Sequence, residues 1–277
     1  MTSTTSVKKA KRRLPAWAVI FWIVVWQIAA VWVDDPIFLA SPLAALKRLG
    51  QLILETAFWQ SILFSVGHIL LGFVLSALLG VALAALSYRF RLVRELLSPV
   101  TAAVKSIPVA SFVILVLLWV ASRQLSIIIS ILIGFPIIYS NVLMGLDSTD
   151  PRLIEMAKVF RVPFLTQLRA IYLYEVLPFL RSGLSIAIGL CWKSGVAAEV
   201  IGVPKGSIGE KLYQSKIYLE TADLFCWTLV IVCLSIACEK LLAWLREMDG
   251  TCEYFIISLI RSFRAAWSAR VGCPIRT

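Results

Sequence analysis

The stretch EMAKVFRVPFLTQLRAIYLYEVLP, residues 155–178, organises the chain, because it is a polar, helix-forming segment between strongly apolar ones. Apolar positions recur at helical spacing on both sides of Val162-Pro163, and a residue that precedes proline avoids the helical region. The pattern therefore predicts two short helices, over residues 151–160 and 163–173. Such a segment can fit a groove on a partner protein, or it can be an ordered loop that packs on its own chain.

The composition around this stretch is typical of a membrane protein. Hydrophobic residues make up 60% of the 277 positions and charged residues 16%, whereas soluble domains carry about 25% charged residues. Several apolar segments approach or exceed the length of about 18 residues that crosses a bilayer. The predicted spans are residues 17–33, 62–86, 99–120, 125–146, 177–200 and 224–245. We expect an all-α membrane protein with about six transmembrane helices, the third of which is broken near Pro108.

The distribution of Lys and Arg predicts which loops lie in the cytoplasm. Of the 27 basic residues, 18 lie in segments 1–13, 88–98, 146–175 and 240–277, and 6 lie in segments 34–57, 121–126 and 201–222. Cytoplasmic loops carry the excess of basic residues, so both termini and the stretch at 155–178 are predicted to be cytoplasmic. This bias also accounts for the net charge of +11 without a nucleic-acid partner.

Three regions follow from these patterns. Residues 1–14 form a basic cytoplasmic N-terminus, residues 15–248 form the transmembrane domain, and residues 249–277 form a basic tail that is amphipathic or disordered. The six cysteines show no CxxC spacing and have no accompanying histidine. They therefore predict neither a metal site nor a disulfide framework.

The central stretch resembles the EAA loop of binding-protein-dependent ABC importer permeases, whose pattern is roughly E-A-A-x3-G-x9-I-x-L-P. The matching positions are Glu155, Ala157, Ile171 and Leu173, and the departures are Met156, Arg161 and Tyr174 in place of Ala, Gly and Pro. The nitrate/sulfonate/taurine-type branch of that family is also similar at Leu177-Pro178, Asp150-Pro151 and Ala198-Glu199-Val200-Ile201-Gly202. The likeness covers about residues 15–245, and the EAA loop corresponds to about residues 150–178.

This resemblance implies a permease subunit of the cell membrane that couples transport to a separate ATPase by alternating access. Its coupling helix would dock on a cytoplasmic ABC ATPase dimer through Glu155, Met156, Ala157, Arg161 and Pro163. The other implied partners are an extracytoplasmic substrate-binding protein, a second copy of the chain and membrane lipid. The chain lacks a GxxxxGK[ST] loop, so it would be no enzyme and would hold no cofactor of its own, since ATP binds to the partner subunit.

Two details of this interpretation are specific to the present sequence. Glycine at the position of Arg161 would allow a left-handed turn that arginine disfavours. We therefore expect that the elbow differs from the family pattern at Arg161, or that Pro163 supplies the break instead. The transported solute would be small, with an anion such as nitrate, a sulfonate or taurine slightly favoured.

Four residues are candidates for the translocation path: Lys193, Trp192, Glu199 and His68. A charge in mid-span costs about 3 kcal/mol, so Lys193 either attracts an anion in the path or pairs with a glutamate of the bundle. Glu199 is either a gate or binding-protein contact or a solvated helix end. Trp192 and His68 either line the path or pack between helices.

A transporter or channel driven by an ion gradient is the alternative function. Such proteins usually place several ionisable residues at the midplane and often show inverted repeats. This sequence shows one clear mid-span charge, Lys193, and no repeat. The permease interpretation is therefore preferred.

Overall fold

The computed structural model describes residues 16–33, 35 and 38–244, and the regular elements in that part of the chain are helical. This confirms the all-α membrane protein. The predicted basic N-terminus, residues 1–14, and the predicted tail, residues 249–277, lie outside the described residues. The elements are α1 Ala16–Val33, α2 Pro42–Leu52, α3 Thr56–Arg89, α4 Arg91–Ser106, α5 Val109–Leu117, a 3-10 turn Ser122–Gln124, α6 Leu125–Asp147, α7 Pro151–Val159, α8 Phe164–Gln167, a π-helical turn Leu168–Tyr172, α9 Leu173–Gly202, α10 Ile208–Ile217 and α11 Thr221–Trp244.

Within the described residues, four helical segments are long and apolar enough to cross a bilayer: Thr56–Arg89, Ser122–Asp147, Phe164–Gly202 and Thr221–Trp244. They correspond to the second, fourth, fifth and sixth predicted spans. Helix α1 corresponds to the first, and its side chains face outward along most of its length.

The third predicted span is not a single helix. The break near Pro108 is confirmed, because α4 and α5 meet there at an angle of 106°. Helix α4 is amphipathic, and α5 has 9 residues, a length of about 14 Å that cannot cross a core about 30 Å thick by itself. The segment is therefore a bent pair.

The chain divides into two compact units, one within Met1–Trp59 and Lys211–Leu229, the other within Gln60–Glu210 and Val230–Thr277. In the first unit, the Ser41 hydroxyl accepts a hydrogen bond from the Ala44 N–H at 3.2 Å and caps α2, whose first residue is Pro42. This arrangement satisfies a free N–H of the first turn, as polar caps generally do. Trp26 of α1 packs on Phe225, with ring centroids 5.1 Å apart.

The core of the second unit is built on the packing of α6 against α9. A buried cluster of Val113 and Val116 from α5, Leu125 and Ile129 from α6, and Ala198 from α9 joins the three helices. Glycines allow close approach, since an added Cβ at Gly195 would lie 2.7 Å from Ile69 of α3. Small residues at helix crossings have this role in membrane bundles.

Candidate functional site

Helix α7 begins with a strong cap in the connector that follows α6. The Asp150 carboxylate accepts a hydrogen bond from the Arg152 N–H at 2.9 Å, and Pro151 occupies the first turn. Aspartate and proline at these positions favour a helix start because the first N–H groups lack partners within the helix. The chain therefore enters the EAA-like stretch in a fixed direction.

Helix α7 ends in a complete Schellman motif. The Val162 N–H donates to the Ala157 carbonyl at 2.9 Å, and the Arg161 N–H donates to the Lys158 carbonyl at 3.1 Å. Arg161 occupies the left-handed position of this motif, with φ of +47°. Arginine therefore adopts the left-handed conformation that glycine adopts most easily, and two hydrogen bonds hold it there. Whether this elbow differs in shape from that of the family stays a prediction.

The substitution Arg161→Gly is expected to stabilise the elbow without changing its shape. The left-handed conformation costs a non-glycine residue on the order of 1 kcal/mol, so the purified variant should unfold at the same or a slightly higher temperature. The variant Arg161→Val should unfold at a lower temperature, because a β-branched residue tolerates positive φ poorly. A lower midpoint for Arg161→Gly, measured by thermal unfolding in detergent, would contradict the assignment of strain to this position.

The helix after Pro163 is longer than the sequence predicted. The break at Val162-Pro163 is confirmed, but the predicted short helix over residues 163–173 is wrong. The segment Phe164–Gly202 runs as one helical span of 39 residues that includes the π-helical turn Leu168–Tyr172. The Gln167 side-chain amide donates to the Val162 carbonyl at 2.7 Å across the break, so the elbow leads directly into the membrane span.

Five apolar side chains are exposed around this elbow, by 50–78% of their area. We refer to them as the elbow patch: Met156, Val159, Phe160, Phe164 and Leu165. An exposed group of large apolar side chains typically marks a contact with another protein or with lipid.

The other predicted coupling residues divide between the two sides of α7. Glu155 is exposed next to the elbow patch, whereas Ala157 is 1% exposed and faces the chain's own interior. A partner protein therefore cannot contact Ala157 directly in this structure. Phe160, in contrast, is 68% exposed at the end of α7.

Lys193 lies on an exposed face of α9, together with Ile186, Leu190 and Ala197. The spacing of these four residues places them on one side of the helix, which we call the path face. Lys193 forms no ion pair within the described residues. The predicted ion pair with a glutamate of the bundle is thus absent from the part of the chain that the structure describes.

Trp192 lies on a buried side of α9, away from the path face. Its side chain is buried, and its indole N–H donates to the Ile231 carbonyl at 3.1 Å. Of the two predicted roles of Trp192, this geometry favours packing between helices over lining the path. The structure therefore separates Trp192 from Lys193, although the two are neighbours in sequence.

Glu199 is fully buried in an arrangement that we call the outer cluster. The Ser65 hydroxyl donates to Glu199 Oε2 at 2.6 Å and accepts from the Ile208 N–H at 3.0 Å. The Gly209 N–H approaches the same carboxylate oxygen at 3.5 Å. A solvated helix end is therefore wrong for Glu199, and its burial prevents direct contact with a binding protein in this conformation.

The outer cluster completes the start of α10. The Ser207 hydroxyl accepts from the Glu210 N–H at 2.9 Å, and the Glu210 carboxylate accepts from the Gly206 N–H at 2.6 Å. The two N–H groups between Ser207 and Glu210 have acceptors in the outer cluster: the Ile208 N–H donates to Ser65 and the Gly209 N–H to Glu199. The pattern Ser207-Ile208-Gly209-Glu210 is the sequence signal that could have indicated this cap.

His68 contacts its own helix. Its Nδ1 atom lies 2.8 Å from the Phe64 carbonyl oxygen, and its ring stacks on Phe64 at a centroid distance of 4.0 Å. These contacts favour a packing role over a ligand in the path.

A cavity of about 280 Å³, which no sequence pattern indicated, lies within the first unit, on the side predicted to be extracytoplasmic. Arg48 pairs in its wall with Asp223, donating from Nη2 at 3.0 Å and from Nε at 2.5 Å. The hydrogen bonds that Arg48 donates to the Asp223 carboxylate raise the pKa of the Arg48 guanidinium above its ordinary value. The pair joins α2 to α11 within this unit.

Comparison of the sequence with those of known proteins identifies the family of this chain. The pattern of the family described as binding-protein-dependent transport system inner membrane component matches residues 76–248. A putative aliphatic sulfonates transport permease of Bacillus subtilis is 25% identical over 82% of this chain and 86% of its own length. Its counterpart in Escherichia coli is 29% identical over 78% and 83%. A bicarbonate transport system permease of Synechococcus elongatus is 24% identical over 84% and 88%. The chain therefore belongs to the binding-protein-dependent ABC importer permeases, the inner-membrane components of these systems, and to their nitrate/sulfonate/taurine-type branch.

Proposed function

We propose that this chain forms the translocation path of an ATP-driven importer for a small anion, and that its elbow patch receives the movement of the ATPase. As a member of the permease family, the chain is a multi-pass protein of the cell membrane that works with a separate ATPase and a substrate-binding protein. Permease subunits of this family have no ATPase activity of their own. The coupling contacts, the solute and the pairing of two copies are what we propose.

The elbow patch is the observation that carries the proposal for coupling. Its five apolar side chains surround a turn that two hydrogen bonds fix, so the surface is preorganised and loses little entropy on docking. Glu155 and Lys158 are exposed on the same helix and offer charged contacts at its edge. The distribution of basic residues predicts that this surface faces the cytoplasm, where the ATPase lies.

The path face supports a second copy of the chain and an anionic solute. Ile186, Leu190 and Lys193 are exposed within a helix that spans the membrane. A lysine in mid-span needs water, a counter-charge or a partner surface, and a homodimer would enclose it in a shared path. The relatives from Bacillus subtilis and Synechococcus elongatus are named as transporters of aliphatic sulfonates and of bicarbonate, which are anions.

The variant Lys193→Glu is expected to reduce anion uptake by at least about tenfold, since it replaces an attractive charge in the path by a repulsive one. The variant Lys193→Arg should retain most uptake. The measurement is ATP-dependent uptake into proteoliposomes that contain the full complex, with radiolabelled taurine, methanesulfonate, nitrate and bicarbonate. The amount of co-purified ATPase should be equal in all three proteins.

Two results would contradict parts of this proposal. Uptake of these anions by the chain alone, in vesicles without ATP, would overturn the importer in favour of gradient-driven transport. Equal uptake by wild type and Lys193→Glu would remove Lys193 from the path while leaving the ATP requirement as a separate test of coupling.

A further inference from the structure

A half-exposed ion pair joins α4 to the end of α6. Arg94 donates from Nη1 to Asp147 Oδ1 at 3.1 Å and from Nη2 to Asp147 Oδ2 at 2.7 Å. This two-bond geometry fixes the orientation of the two planar groups as well as their distance. The side chains are 49% and 38% exposed, so the pair contributes little to folding stability. Its main effect is to fix the position of α4 relative to the end of α6.

The ion pair lies immediately before the elbow. Asp147 is the last residue of α6, and Asp150 caps the start of α7. A carboxylate at the carboxyl end of a helix is opposed by the helix dipole, so Arg94 offsets a local electrostatic penalty. Because few residues separate Asp147 from Asp150, the pair ties α4 to the point where α7 begins.

Helix α4 is fastened to α6 at a second place. Lys105, near the carboxyl end of α4, donates to the Ser140 hydroxyl at 3.2 Å. The end of α3 also contacts the π-helical turn, where the rings of Tyr88 and Tyr172 meet edge to face at 5.9 Å. Two contacts along one helix restrict its rotation against α6 more than either contact would alone.

We propose that Arg94 and Asp147 are positioning residues for ATP coupling, which make α4 move as one body with the end of α6 and the start of α7. A displacement of the elbow patch then reaches α5 through the 106° bend at Pro108. Helix α5 carries Val113 and Val116 into the buried cluster with Ala198 of α9, next to Glu199. The inference rests on the proposed coupling of this chain to an ATPase subunit.

The test measures the amount of solute imported per ATP hydrolysed by the full complex in proteoliposomes. The variants Arg94→Gln and Asp147→Asn are each expected to lower this ratio about fivefold, with normal amounts of co-purified ATPase. The exchanged variant, which combines Arg94→Asp with Asp147→Arg, is expected to restore the ratio to within about twofold of wild type. The exchange places each charge at the helix end that favours it, so it does not disfavour folding.

A matched control lies on the same helix. Arg91 and Glu95 form an ion pair at 2.8 Å within α4, and both are more exposed than Arg94 and Asp147. The variants Arg91→Gln and Glu95→Gln remove a similar interaction without disconnecting two helices. Their ratio of solute to ATP should equal that of wild type.

The outcomes separate this inference from the proposed function. ATP-dependent uptake in wild type, together with an unchanged ratio in Arg94→Gln and Asp147→Asn, would overturn the inference alone. A failure of the exchanged variant to restore the ratio while it retains the ATPase would also overturn it, because the residues would then act separately. The uptake panel is taurine, methanesulfonate, nitrate and bicarbonate, and if wild type imports none of them with ATP, both proposals fall.

Discussion

Replacement of Phe160 by Asp is expected to detach the ATPase from this chain. Phe160 is 68% exposed at the centre of the elbow patch, and an aromatic anchor at the centre of an interface commonly contributes 2 kcal/mol or more, which is about 30-fold in affinity. A carboxylate at this position would also be buried without a partner on docking. The measurement is the amount of ATPase that co-purifies with the tagged chain, followed by ATP-dependent uptake.

Two variants control for effects on folding and on charge alone. Phe160→Leu preserves an apolar side chain and should retain most of the ATPase. Tyr218→Asp introduces the same charge at an aromatic residue that is 71% exposed, on the side predicted extracytoplasmic, and should retain all of it. Equal recovery of the ATPase with Phe160→Asp and Tyr218→Asp would show that the elbow patch is not the docking surface.

Removal of the Glu199 carboxylate is expected to cause the largest loss of stability among the variants considered. Glu199→Ala leaves the Ser65 hydroxyl and the Gly209 N–H without their acceptor and opens a cavity at a fully buried position. Effects of this kind cost about 2–4 kcal/mol. Thermal unfolding of the purified chain in detergent should show a clearly lower midpoint.

The isosteric variant Glu199→Gln distinguishes lost hydrogen bonds from lost charge. Its side-chain oxygen can still accept from Ser65 and Gly209, so we expect a smaller decrease than for Glu199→Ala. Ser65→Ala removes the two hydrogen bonds of its hydroxyl, one to Glu199 and one from the Ile208 N–H, and its unfolding midpoint should lie between those of wild type and Glu199→Ala. An unfolding midpoint for Glu199→Ala equal to that of wild type would contradict the role of the cluster in holding α10.

The sequence predicted those elements whose ends are determined by residues close to them in the chain. The breaks near Pro108 and Pro163 and the helix start at Pro151 lie where the sequence predicted them, because proline acts through its own backbone geometry. The long apolar spans were predictable from length and hydropathy. The extent of the helix after Pro163 was not, because the π-helical turn at Leu168–Tyr172 continues a helix whose polar pattern suggested an end.

The site residues were harder to predict because their surroundings are set by distant parts of the chain. Ser65, the partner of Glu199, is 134 residues away in sequence, and no periodicity links the two. Trp192 and Lys193 differ in burial because the rotation of α9 about its axis depends on its neighbours. At Arg161 the intrinsic preference of arginine suggested a changed turn, but the two hydrogen bonds of the Schellman motif prevailed.

The continuity of the helix from Phe164 to Gly202 has a mechanical consequence. A rod of 39 residues is about 58 Å long, so a tilt of about 5° at its elbow displaces its far end by about 5 Å, close to one helical turn. That far end carries Glu199, which is anchored to Ser65 and to the start of α10 by buried hydrogen bonds. A small movement at the end predicted to be cytoplasmic would therefore be amplified at the end that carries Glu199, and its hydrogen bonds to Ser65 and Gly209 would have to move with the helix or break.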